Sequence, residues 1–377
     1  MSVSVKSASM VRVGRHYKVG VDDMVVEVAD EALSDAGWRK PDAIVVSSVV
    51  YPRLSGQSDL ASYVASSLGF QGVSAVAVEA GEASGLAAAM TAARLAAEGR
   101  RVLLVGVDKL SDAPSSVIYK VLKGVYHMGS DGWYMISHSA IPGLLADLYM
   151  SSYGVDRNTL SYWPALMHSH AKLNPYAMLR FAVNPEAVAS AMPVAKPLTM
   201  LDSFPLGDGA AAITLAPAGD GGGIATLAAV ESAVGPMTVA HADDPLDMPA
   251  VRAAWGKVKS ATGVNSVDVM EIHDSYTIMA MLILEALGLS ERGKAAEQVA
   301  LGKFSQGGEG PLANPSGGLK ARGHPVGATG VYMLAELALQ LAGSFPGVRV
   351  DGARSGLAVG INAHGSTAYS ALLVSSN

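Results

Sequence analysis

Between Asn314 and Gly330 the chain reads NPSGGLKARGHPVGATG, a glycine-rich loop with one histidine, His324, directly before a proline. The surrounding glycines let the backbone approach a bound molecule closely, so His324 reads as a ligand-facing residue. His273 opens the stretch HDSYT at the end of an apolar run. Taken alone, it reads as a loop histidine held by hydrogen bonds. Glu82 lies in VEAGEASG (Val78–Gly85), just ahead of an alanine-rich segment, and His364 lies in GINAHG (Gly360–Gly365). The chain has no cysteine. That excludes disulfides, thiolate metal sites and a thiol nucleophile.

Other chemistries fall away on spacing. GEASG places its serine one position too late for a GxSxG nucleophile elbow. There is no GxxxxGK[ST] phosphate loop and no HExxH pair. His168 and His170 are awkwardly separated on a helix, so no metal is expected. Together with His127 and His138 they read as structural residues of a loop region.

The elements that must position these residues follow from periodicity. Val21–Ala36 has helical apolar spacing and ends at Gly37, a natural helix stop. Ala43–Val50, Ser74–Val78 and Arg101–Val107 read as strands, the last as a buried parallel one. Ala83–Glu98 is small or apolar on nearly every face, which predicts a helix enclosed between layers. From about 111 to 200, prolines and histidines interrupt the pattern, predicting an insertion of helices and loops. Order returns with a strand at Asp208–Leu215 and a break at Pro217–Gly223.

The second half repeats the scheme. Ile224–Ala233 and Val267–Ile272 read as strands, Pro249–Ser260 and Thr277–Leu287 as helices. Ala328–Ala342 is a second helix with little polar surface, followed by strands at Gly356–Ile361 and Ser370–Val374. The expectation is a duplicated α/β architecture: residues 1–217 with the insertion at about 111–200, then residues 218–377.

Composition sets the outer limits. Half of the 377 residues are hydrophobic and 16% are charged, ample material for a large core or a subunit interface. A net charge of −6 without a Lys/Arg cluster argues against a nucleic-acid partner. No apolar stretch reaches the roughly 20 residues of a membrane span, and the first residues lack a secretory pattern, so the expected address is cytoplasmic.

Four segments, in their order along the chain, resemble the thiolase superfamily. VEAGEASG is similar to its VEAxCASG segment, DSFPLGDGAA (Asp202–Ala211) to the strand closing its N-terminal half, and HDSYT to the HDxFT variant. That variant belongs to sterol carrier protein thiolases and their prokaryotic, acetyl-CoA acetyltransferase-like relatives. The loop with Gly323-His324-Pro325 is similar to the family's GHP loop, the most specific of the four. VLLVGVDKLSD (Val102–Asp112) and HAKLNPYA (His170–Ala177) are weaker matches.

The resemblance implies a five-layered αβαβα fold, two βαβαβαββ-type halves, and a loop domain over the site. It also implies coenzyme A thioesters as ligands, a place in lipid metabolism and a dimer or tetramer. A small partner with a zinc ribbon and an OB fold often accompanies this subtype. His324 takes the place of the histidine that activates the cysteine and holds the thioester oxygen. His273 takes that of the histidine positioning a water or oxyanion donor. Lys109, Lys123, Lys172 and Arg180 are candidates for the coenzyme's phosphates, or ordinary solvated charges.

The departures matter as much. The family's nucleophilic cysteine falls on Glu82. Acylating a carboxylate gives a mixed anhydride, far more reactive than a thioester, so ping-pong acyl transfer is not expected. Glu82 is instead a general base, its pKa raised by burial and lowered by His324, or an inert ion pair filling a dead site. Ser275 occupies the place of a second family cysteine and is a poor acid. His364 is either a replacement acid/base or, the reading preferred from sequence, a solvent-facing loop residue. The expected function is carbon–carbon chemistry on acyl-CoA without a thiol, such as an aldol or retro-aldol step. The alternative is a non-catalytic acyl-CoA-binding or scaffold subunit.

Overall fold

The computed structural model describes residues 2–134 and 137–376. In chain order, the principal elements of the first part are β1 (Val3–Met10), α1 (Val21–Asp35), β2 (Ala43–Ser47), α2 (Leu60–Ser67), β3 (Ser74–Val78), α3 (Ser84–Ala97) and β4 (Val102–Asp108). An insertion with α4 (Ala140–Tyr153) and α5 (Arg157–Ala171) precedes β5 (Gly209–Pro217). There follow β6 (Ala225–Val234), α6 (Pro249–Thr262), β7 (Val269–Ile272), α7 (Thr277–Ala286), β8 (Leu312–Ala313), α8 (Thr329–Leu341), β9 (Ser355–Asn362) and β10 (Thr367–Val374).

The strands lie in the order β8-β7-β9-β10-β6-β1-β5-β4-β2-β3. Five strands from each part have the same spatial sequence, third-second-fourth-fifth-first. In each set the third, second and fourth strands are parallel and the remaining neighbours antiparallel. The sets meet where β1 pairs with β6 over Val3–Leu227, Ser4–Thr226 and Val5–Ala225. One strand plan is thus used twice. The insertion lies between the fourth and fifth strands of the first set; the second set joins the same strands by a short turn.

Layering follows from which faces are apolar. On α1, Val21, Met24, Val25, Val28, Ala29, Ala32 and Leu33 are buried, one stripe at helical spacing, and the helix packs on β1, β4 and β5. On the far side α6 covers β6 and β10. Between the two strand sets run α3 and α8, which pack on each other and on strands of both sets. The result is a helix–sheet–helix–sheet–helix stack in which α8 is buried almost all round.

Two expectations need correction. β1 was not foreseen, although its side chains alternate between interior and surface. Serines at the buried positions 7 and 9 make its polarity contrast weak. The apolar run at Ala43–Val50 stays a strand only to Ser47. Beyond it the amide N–H groups of Val49, Val50 and Tyr51 donate to the Asp108 carboxylate at 3.0, 2.9 and 2.8 Å, which turns the chain out of the sheet.

Candidate active site

Two glycines bring the site together. A Cβ on Gly85 would fall 2.6 Å from the Gly330 nitrogen, and one on Gly330 would fall 2.5 Å from the Leu86 nitrogen. Helices α3 and α8 therefore touch backbone to backbone at their N-terminal ends, which only glycine permits. Glu82 precedes α3 and His324 precedes α8, so this crossing draws the two side chains to one place.

The glycine-rich loop is held by the strand it follows. The Asn314 side chain receives the Ile272 N–H at 2.7 Å and donates to the Ile272 carbonyl at 3.0 Å, clamping the end of β7 where His273 begins. The Leu319 N–H and the Trp163 indole donate to the Asp274 carboxylate at 2.7 and 2.9 Å. Arg322 and Glu336, both fully buried, pair at 3.2 Å, and the guanidinium lies 4.9 Å from the Tyr332 ring centre. The loop is thus part of the core, and His324 has no freedom to leave it.

Glu82 is buried and ringed by imidazoles. Its Oε1 lies 3.4 Å from His324 Nε2 and 3.5 Å from His138 Nε2. Its Oε2 accepts the Ala363 N–H at 3.2 Å, and its own N–H donates to Asn362 at 3.1 Å. On their far sides, His324 Nδ1 meets the Thr329 hydroxyl at 2.7 Å and His138 Nδ1 meets the Tyr276 hydroxyl at 3.0 Å. The His273 ring stands edge-on to His324 with centres 5.2 Å apart. It is fully buried, and neither of its nitrogens has a hydrogen-bond partner among the described residues.

Charge follows from this packing. Burial pushes the Glu82 carboxyl up, but the imidazoles of His138 and His324 outweigh it and hold it well below the usual carboxylate range. Burial drives His273 down to about 3, and it also lowers His324 despite the pull of Glu82. Burial and the charge of Glu82 keep the Tyr276 phenol protonated. Near neutral pH Glu82 is a carboxylate, and His273 and His324 are neutral. The Thr329 and Tyr276 hydroxyls hold the two rings so that Nε2 of His324 and of His138 faces Glu82.

Several sequence readings change. His138, read as structural, touches Glu82; its segment carries no recognisable pattern, and the contact exists only in three dimensions. His364, read as solvent-facing, is buried and stacked on Tyr126 with ring centres 6.2 Å apart. Lys109 is no free phosphate ligand, since its ammonium is engaged by the His16 carbonyl at 2.9 Å and Asp112 at 2.8 Å. Ser275 is buried in the turn before α7, where its carbonyl accepts the Phe204 N–H at 2.9 Å, and it makes no hydrogen bond to Glu82, His273 or His324. His168 and His170 are structural, with Nδ1 on the Phe181 and Asn314 carbonyls.

Comparison with known proteins places this geometry. Residues 3–190 match the family described as thiolase, N-terminal domain, and residues 232–375 the family described as thiolase C-terminal domain-like. The acetyl-CoA acetyltransferase of Methanothermobacter thermautotrophicus is 30% identical over 379 residues, covering 97% of each chain. Human sterol carrier protein 2 is 28% identical over 94% of this chain and 68% of its own. Among solved structures, the Ltp2-ChsH2(DUF35) aldolase superposes with a TM-score of 0.83 at 17% identity, covering 99% of this chain and 98% of that one. Acetyl-CoA acetyltransferase from Syntrophomonas wolfei gives 0.73 at 17% identity, with 99% of each chain covered.

Proposed function

Since the chain belongs to the thiolase family, we propose that it binds an acyl-CoA thioester and makes or breaks a carbon–carbon bond without an acyl-enzyme. The observation that carries this reading is the buried carboxylate of Glu82 at the start of α3, in contact with His324 and His138 and beside an unpartnered His273. A carboxylate cannot hold an acyl group as a stable thioester analogue, but it can move a proton. In a retro-aldol step, Glu82 takes the proton of a β-hydroxyl, sharing it with His324. The bond between the α and β carbons breaks, and its electrons pass to the thioester oxygen as an enolate. His273, whose ring N–H has no other partner, donates to that oxygen in a site closed to water. The enolate is then protonated at the α carbon. The aldol direction is the reverse.

The name of the structural neighbour, an aldolase with a DUF35 component, fits this reading and also a partner subunit. The exposed edge of β3 supports pairing with a second copy of the chain. A second reading, a non-catalytic acyl-CoA-binding or scaffold subunit, is favoured by the closed Glu82–His324 contact, which resembles a plugged site. Turnover decides between them. Wild-type protein offered a panel of β-hydroxyacyl-CoA thioesters should release a carbonyl product, and His324→Ala should lower that rate at least about 100-fold, the scale of one acid–base group. No turnover across the panel, with CoA binding intact, would leave the second reading.

A further inference from the structure

Glu82, His273 and His324 form a buried cluster of donor atoms, and His138 lies against it on the Glu82 side. One donor atom from each of Glu82, His273 and His324 lies within 4.8 Å of the other two. Oε1 of Glu82 is 3.4 Å from His324 Nε2 and 3.5 Å from His138 Nε2. Ligands on a tetrahedral zinc ion, at bonds of about 2.0–2.1 Å, stand about 3.3 Å apart, so the Glu82–His324 and Glu82–His138 separations are those of neighbouring ligands. They are long for hydrogen bonds between the same groups.

Three further observations point the same way. His273 is fully buried with both ring nitrogens unpartnered, and a buried polar group in that state awaits a ligand. His324 and His138 each have a hydroxyl on Nδ1, from Thr329 and Tyr276. Such outer contacts fix the ring and leave Nε2 free to coordinate an ion. Finally, the site sets one buried carboxylate among imidazoles, so a divalent cation would find charge as well as donors.

We propose that this cluster binds one divalent first-row transition ion of the zinc class, through a carboxylate oxygen and imidazole nitrogens. Imidazole donors suit such an ion, while calcium and magnesium require an oxygen cage that is absent among the described residues around Glu82. The proposal stands on the cluster geometry and does not depend on the acyl-CoA reading; the proton-transfer roles given above to Glu82 and His273 belong to the ion-free protein. With an ion in place, the cluster would supply a Lewis acid for a thioester oxygen.

The test uses the whole chain, stripped with a chelator, given one equivalent of Zn2+ and desalted before the metal is counted. Co2+ in place of Zn2+ reports the coordination through its visible bands. The expected result is one retained equivalent and the spectrum of a four- or five-coordinate nitrogen–oxygen site. His273→Ala and Glu82→Gln should each abolish retention, and Thr329→Val should weaken affinity by about 10–100-fold. Glu82→Gln preserves side-chain shape, and circular dichroism of each variant separates misfolding from lost ligands. A double substitution of His168 and His170 should leave retention unchanged. Absence of retained ion in the wild type, or retention untouched by His273→Ala and Glu82→Gln, would overturn the proposal. Full turnover of an acyl-CoA by protein that takes up no ion sinks this proposal alone, whereas ion uptake without turnover sinks only the acyl-CoA reading.

Discussion

The proposed chemistry turns on Glu82. The side chain sits beside an imidazole 3.4 Å away, at the start of a helix, a setting that would activate a thiol. Glu82→Cys is therefore expected to give a covalent acyl adduct with acetyl-CoA, seen as a mass increase on the intact chain, while the wild type gives none. An adduct on the wild type would remove the claim that no acyl-enzyme forms. Glu82, His273 and His324 were legible in the sequence because each lies within a short local pattern. His138 was not, because nothing local marks it and its relation to Glu82 arises from the path of the insertion. His364 was misread for a related reason, since a histidine between alanine and glycine looks like a turn tip until Tyr126 is seen to cover it.

At the level of elements, the crossing of α3 and α8 determines how accurately the site is built. Gly330→Ala forces a methyl group against the backbone of Leu86, where no side chain can yield. The expected cost is about 1–3 kcal/mol of stability, as for overpacked cores, read from denaturant midpoints. Any turnover should fall by a larger factor than stability alone predicts, because Glu82 and His324 move apart. An unchanged rate would mean that the crossing does not position them. The alanine-rich sequence of α3 announced an enclosed helix correctly, because a residue that is small on all faces has no preferred exposed side. The sequence could not announce that the neighbour would be α8, since the approach of two glycines far apart in the chain leaves no periodic trace. β1 escaped notice because serines at its buried positions 7 and 9 give little contrast.

For the whole molecule, the buried histidines make stability depend on pH. His273, pushed down to about 3 by burial, stays neutral in the folded protein, while in the unfolded chain it titrates near its ordinary value of 6.5. Between these values the unfolded state binds more protons, so stability rises with pH and is lost as pH falls below 6.5. The loss is about 1.4 kcal/mol per pH unit, so about 2 kcal/mol between pH 6.5 and 5. His273→Gln should therefore show a shallower decline in denaturant stability over that window. Asp274, raised to about 6 by burial, acts in the opposite sense but is present in both proteins, so the difference isolates His273. Equal slopes would show that His273 accepts a proton within the fold.

The repeated strand order has an evolutionary consequence. Two helices hold equivalent places in the two strand sets, yet a carboxylate, Glu82, lies ahead of one and an imidazole, His324, ahead of the other. Each set supplies one member of an unlike pair, so neither holds a spare for the other. Substitutions around Glu82 and around His324 are consequently not interchangeable between copies, and one failed copy cannot be rescued by its twin.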